Sequence, residues 1–216
     1  MPQIAASKPL VMEGNPEAAA AEEFRSLRTR IEYAAEESGE KVFAFVSALA
    51  GEGRSTVAAN MAVAFAQAGK QTVLVDADLR RPALHRMLRS AQERGLGDYL
   101  TVRATEPLEI VHKLHVPNLL LVPAGEGVRP PADLLASSRL EELLLALKYQ
   151  YDIVLIDTPP LLQGTDAQIV AAQADGAVLV VERGRVHQEQ ARQAADALSA
   201  VKARLFGVIF NRRRRR

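Results

Sequence analysis

Val42-Phe-Ala-Phe-Val-Ser47-Ala-Leu-Ala-Gly51-Glu-Gly53-Arg54-Ser55-Thr56 is the stretch whose reading decides the fold. A β-rich run passes into a Gly-containing turn, and helical periodicity continues over 55–68. The general phosphate loop is written G-x-x-x-x-G-K-[ST]. Gly53 and Ser55 match it, Ala48 stands at the first glycine, and Arg54 stands at the lysine. Glycines let such a loop curl so that its N–H groups meet phosphate oxygens, and the dipole of the following helix adds to their pull. An ordinary Gly-rich strand-to-helix turn would read the same way, so the loop needs corroboration. Arg54 changes the chemistry, because guanidinium is broad, planar and permanently charged whereas the ammonium of lysine is compact. Arginine still pairs with phosphate, so binding is expected to survive more readily than the geometry of transfer.

Outward from this stretch, β-rich runs alternate with helical ones. Strands are expected at Val42–Ser47, Thr72–Asp76, 118–122, Ile153–Asp157, 177–182 and Leu205–Asn211. Helical spacing covers 17–37, 55–68, 132–148, Asp166–Gln173 and 188–202. Runs such as Ile153-Val-Leu-Ile156 and Val178-Leu-Val-Val181 are continuously apolar, as in parallel strands covered on both faces. Residues 89–116 are irregular and read as a loop-rich insertion. The expected fold is one α/β domain over 1–216, with a doubly wound, mostly parallel sheet flanked by helices. Residues 1–16 form an N-terminal segment, 17–38 a helical extension and 212–216 a basic tail. Ligands in such sheets bind beyond the C-terminal strand ends.

Acidic residues fall at those ends. One run closes as Val73-Leu-Val-Asp76-Ala-Asp78-Leu-Arg80, another as Ile153-Val-Leu-Ile-Asp157-Thr-Pro159-Pro160. Asp76 and Asp78 suit holding Mg²⁺ or orienting a hydroxyl, since magnesium takes only one or two carboxylates beside phosphates and waters. Asp157 stands where a Walker B aspartate is expected. Each alone reads equally as a solvated turn. All three motifs, in order and each closing an apolar strand, favour a nucleotide site.

Composition narrows the classes. The net charge of +1 gives no global pull toward nucleic acid or membrane. Without cysteine there is no disulfide, thiolate zinc site or thiol nucleophile. No apolar stretch approaches the ~18 residues of a membrane span, and 1–8 lack the apolar core of a secretory signal. A cytoplasmic location is expected. The four histidines show no metal spacing, and 212–216, all arginine, read first as a solvated end and second as an anionic-lipid contact. No aromatic platform accompanies those arginines, so nucleic acid is not an expected partner.

Val73–Arg80, continuing into Arg81-Pro82, and Ile153–Pro160 with Asp166 resemble the second and third motifs of the bacterial tyrosine kinases of capsule and exopolysaccharide synthesis. Glu22, Arg25 and Arg28 fit that family's E-x-x-R-x-x-R helix, and Gly207-Val-Ile-Phe-Asn211 its last strand. The resemblance runs from about residue 17 to 211. It implies a P-loop NTPase fold, ATP or ADP and Mg²⁺ as cofactors, and phosphate transfer to protein tyrosine. Carried over, Gly51, Glu52, Gly53, Arg54, Ser55 and Thr56 line the phosphates, and Asn211 lies near the adenine. Ser55, Asp78 and Asp157 hold the metal. Asp76 acts as general base or metal partner, with Asp78 and Arg54 completing the catalytic set. Glu22, Arg25 and Arg28 serve ring-like self-association.

The length resembles the stand-alone kinase form, whose partners are a membrane-spanning polysaccharide co-polymerase that activates it, further copies of itself, and tyrosine substrates. That places it peripherally at the inner face of the plasma membrane. Three departures stand out: Arg54, Ala50 where the family commonly has proline, and arginines where the family usually ends in a tyrosine cluster. Arg54 and the missing tyrosine cluster keep open a non-catalytic nucleotide switch of the same machinery. A third alternative, a partition or septum-site ATPase, usually carries an extra lysine early in the loop, which Ala48-Leu49-Ala50 does not provide.

Overall fold

In β1 (Val42–Ser47), residues Val42, Ala44 and Val46 enter one apolar cluster while Phe43 and Phe45 enter another. A strand sends alternate side chains to opposite faces, so a run that is apolar throughout can be buried only between two layers. The computed structural model, which describes residues 10–36, 38–91, 94–102, 105–126 and 130–211, shows both layers. The elements run α1 (Val11–Gly14), α2 (Ala19–Glu36), β1, α3 (Arg54–Gln67), β2 (Thr72–Asp76), α4 (Leu84–Met87), α5 (Leu96–Thr101), β3 (His112–Lys113) and β4 (Leu119–Val122). They continue with α6 (Pro131–Leu135), α7 (Ser138–Gln150), β5 (Ile153–Asp157), α8 (Asp166–Gln173), β6 (Gly176–Glu182), α9 (Gln188–Ala200) and β7 (Leu205–Asn211).

The sheet has the order β3-β4-β2-β5-β1-β6-β7 and is parallel except for β3 against β4. On one face, α7 contributes Leu140, Leu143, Leu144 and Leu147, the spacing of a single helical stripe. On the other, α3 is buried nearly all round, from Val57 to Ala66. Its alanines admit close approach to the sheet, and α1 and α2 cover its outer side with Met12, Ile31 and Ala35. Asn60 within it is buried yet satisfied, accepting from the Met12 N–H (3.1 Å) and donating to the Thr56 carbonyl (2.8 Å).

Two stretches depart from the sequence expectation. The helix expected over 132–148 is two, because Ser137 takes an extended conformation (ψ 156°) between α6 and α7. The stretch 89–116, expected to be loop, contains α5, a 3₁₀ turn at Pro107–Ile110, and β3. β3 is only two residues long and exists by pairing with Leu120 and Leu121 of β4, a contact that no local pattern announces. Glu37, the expected end of the N-terminal helix, and the basic tail 212–216 lie outside the described residues.

Candidate functional site

β5 lies between β1 and β2, and Asp76 is the register partner of Asp157. The two strand ends therefore deliver their carboxylates side by side, next to the loop that leaves β1. That loop turns on Gly51 (φ 84°) and Gly53 (φ 85°), both left-handed. A Cβ on Gly53 would meet the Asn211 amide and displace it, so the left-handed φ strains any other residue here and the added carbon would also disturb the Asn211 contact to the loop. In α3 the Val57 N–H donates to the Gly53 carbonyl, which leaves the N–H groups of the first turn available to an anion.

The loop is braced from behind. The Glu52 carboxylate accepts from the Leu49 N–H and from the Glu182 N–H at the end of β6. Arg185 donates to the Ala50 carbonyl (3.0 Å) and the Gly51 carbonyl (2.9 Å), and pairs with Glu182 (3.2 Å). Asn211 donates through Nδ2 to the Glu52 carbonyl (2.9 Å). The Glu52 side chain thus serves the loop's shape, and only its backbone is left to face phosphates. Arg185 and Glu182 were not singled out from the sequence. An arginine three residues past an acidic strand end carries no motif.

Beside the loop opens a cavity of about 890 Å³, whose wall includes Gly51, Gly53, Ser55, Thr56, Asp78 and Asn211. Its size and left-handed glycine cradle fit a nucleotide. Asp78 is the one of the three aspartates on this wall. Asp76 lies beneath it, fully buried, its Oδ2 accepting from the Ala83 and Leu84 N–H groups (3.1 Å each).

Arg54 is turned into the acids. Its Nε donates to Asp157 Oδ1 at 2.6 Å, its Nη2 to Asp78 Oδ2 at 3.1 Å, and its Nη1 to Ser47 Oγ at 3.2 Å. Only 7% of the side chain is exposed. Asp76 Oδ1 and Asp157 Oδ2 are buried with no hydrogen-bond partner among the described residues. Burial, with the Asp157 charge adding to it, pushes the Asp76 carboxyl up to about 7. At Asp157 burial acts in the same direction, while the Arg54 charge and the Ser55 hydroxyl pull back.

Ser55, Asp78 and Asp157 supply oxygens of the kind magnesium takes. The Arg54 guanidinium nevertheless lies against both carboxylates. With Arg54 in this position, the residues do not fit magnesium.

The expected self-association residues lie apart from this site, on α2. Arg25 pairs with Glu22 (2.9 Å) and donates to the Pro16 carbonyl, while Arg28 pairs with Glu32 (3.4 Å).

A glycine-turned loop opening a buried helix, flanked by in-register strand-end aspartates, defines a P-loop NTPase. Residues 39–214 match the ParA family, described as NUBPL iron-transfer P-loop NTPase. The chain is 39% identical over 196 residues to the tyrosine-protein kinase YwqD of Bacillus subtilis, covering 91% of this chain and 82% of that one. The kinase domain of the Escherichia coli tyrosine kinase ETK superposes with a TM-score of 0.91 at 26% identity, over 98% of this chain and 82% of that one. The septum site-determining protein MinD of Pyrococcus horikoshii, complexed with Mg-ADP, gives 0.69 at 25% identity, over 79% of this chain and 70% of that one. The chain belongs to the bacterial tyrosine-kinase family of P-loop NTPases. No helix among the described residues is long and apolar enough to cross a membrane.

Proposed function

We propose that this chain binds ADP or ATP in the loop cavity and transfers phosphate to protein tyrosine, within the machinery that makes and exports capsular or extracellular polysaccharide. The observation that carries this reading is that Asp78 and the phosphate loop face one cavity, with Asp76 and Asp157 in register beneath them. The first-turn N–H groups of α3 hold the phosphates, and Asn211 borders the nucleoside end. As the carboxylate on the cavity wall, Asp78 accepts the tyrosine proton while the hydroxyl oxygen takes the γ-phosphoryl group and ADP leaves. Asp76, placed deeper, sets the local charge. Residues 1–216 act as one unit at the inner face of the plasma membrane. The partners are a membrane-spanning polysaccharide co-polymerase, tyrosine substrates and further copies of this chain.

A second reading is favoured by one specific observation, the burial of Arg54 between Asp78 and Asp157. While it holds them, neither acid is free for transfer, and the protein acts as a nucleotide-dependent switch. One assay separates the two: the purified chain, the co-polymerase's cytoplasmic tail and Mg-ATP, with an added tyrosine substrate and phosphotyrosine as readout. Misplacement of a catalytic charge by about 1 Å costs on the order of 100-fold in rate. Arg54→Lys is therefore expected to raise transfer by about 10–100-fold while changing nucleotide affinity far less. A lower rate in Arg54→Lys would make arginine the working residue of an adapted loop. Absence of nucleotide binding in both proteins would end both readings.

A further inference from the structure

We propose that Arg54 is the resident cation of the Asp78–Asp157 pair, standing in for a divalent metal, so that the loop takes a nucleoside diphosphate without magnesium. This inference rests on the nucleotide-binding reading above and deepens it.

All three guanidinium nitrogens are used, on Asp157, Asp78 and Ser47. A planar fork with fixed donor directions can bridge two carboxylates and a hydroxyl at once, whereas the single ammonium of lysine is a point charge. The pairs are enclosed: Arg54 and Asp78 are nearly buried, and Asp157 is wholly so. Arg54 and Asp78 border the cavity, but swinging the guanidinium out toward phosphate would strand the wholly buried Asp157 beside Asp76, and an uncompensated buried charge is strongly unfavourable. The pairing is thus held in place by the acids that a metal would otherwise neutralise. Phosphate charge has other partners on the same wall. The α3 N-terminus faces the cavity and Arg81 lines it, while Arg80 on the same wall is paired with Asp166 at 2.7 Å and 3.0 Å and adds little net charge. Polyphosphate recognition and carboxylate neutralisation are therefore divided between different groups, and magnesium, which ordinarily serves both, has neither task left.

Two measurements on the full chain test this. In the first, ADP is titrated calorimetrically in EDTA and then in magnesium. Wild-type affinity is expected to agree within about twofold between the buffers, whereas Arg54→Lys, with its carboxylates less well bridged, is expected to bind at least about tenfold more tightly with magnesium. A gain of about tenfold or more in the wild type overturns the proposal and leaves nucleotide binding intact. In the second, Mn²⁺ is followed by electron paramagnetic resonance without nucleotide. The wild type is expected to leave it free and Arg54→Gln to capture it. Capture by the wild type overturns the proposal whether or not the variant folds. ADP binding to neither protein would sink the nucleotide reading, and the manganese result then decides the cation assignment by itself.

Discussion

Asp76 is where the electrostatic cost of the site collects. Its carboxyl is pushed from 3.8 to about 7 by burial first and the Asp157 charge second, against the two N–H bonds from Leu84 and Ala83. The folded protein therefore holds this proton more tightly than the unfolded chain does. The stability it brings is whole below about pH 4 and is lost as pH rises through about 7. Between about pH 5 and 8 this group alone should cost about 2–3 kcal/mol of folding stability. In Asp76→Asn the amide oxygen still accepts both N–H bonds, so urea unfolding should show that part of the pH slope flattened. Gly53 offers a second test at this scale. Gly53→Ala meets both a left-handed φ and the Asn211 amide, and should lose about 1–3 kcal/mol of stability together with ADP binding. Gly39 has a left-handed φ of 68° but nothing within 4 Å of an added Cβ. Gly39→Ala should lose about 1 kcal/mol with ADP binding unchanged, as calorimetric titration would show.

Among the elements, β1 depends on an anchor at the start of the strand. Asp175 accepts from the Lys41 and Val42 N–H groups (2.8 and 2.9 Å) through one oxygen and from Lys148 (2.6 Å) through the other. Burial works upward on this carboxyl, but the Lys148 and N–H bonds outweigh it and hold it below the ordinary carboxylate range. Its contribution is therefore present at neutral pH and is lost as pH falls through the lowered value. Asp175→Ala should cost about 1–3 kcal/mol by leaving two backbone donors at the start of β1 without their acceptor, read as a lower urea midpoint at neutral pH. Most elements were legible because their signals are local. Continuous apolar runs gave the central strands, and the i, i+3, i+4, i+7 leucines of α7 gave its buried stripe. The break at Ser137 and the strand β3 were not, since one is a backbone turn inside a helical pattern and the other exists only through its partner.

For the whole molecule, the open matter is assembly. Glu22 and Arg25 pair with each other on the outer side of α2, and Arg28 pairs with Glu32. If this face joins copies, replacing Glu22, Arg25 and Arg28 together by alanine should shift sedimentation toward monomer in the presence of nucleotide and the co-polymerase tail. The exposed Glu22–Arg25 pair is worth only about 0.3–0.5 kcal/mol, whereas Arg28 is mostly buried beside Glu32 and donates to the Ala64 carbonyl, so any loss of monomer stability should come from Arg28 and be seen in Arg28→Ala alone. A wild type already monomeric at high concentration under those conditions would reduce the motif to a salt-bridged surface.

By itself the sequence determined the alternation of strands and helices, the glycine-turned loop opening α3, and the placing of Asp76, Asp78 and Asp157 just past apolar strands. Each of these follows from side-chain periodicity and turn chemistry acting over a few residues. Only the tertiary structure decided which group each of them meets. The sheet order sets β5 between β1 and β2, and so brings Arg54 onto partners 24 and 103 residues away. It also fixes depth, with Asp76 beneath the cavity and Asp78 on its wall, which spacing of two along a chain cannot specify. Arg54 read from sequence as a cation aimed at phosphate. The sheet instead sets its guanidinium against the carboxylates of Asp157 and Asp78, which only the three-dimensional neighbourhood could reveal.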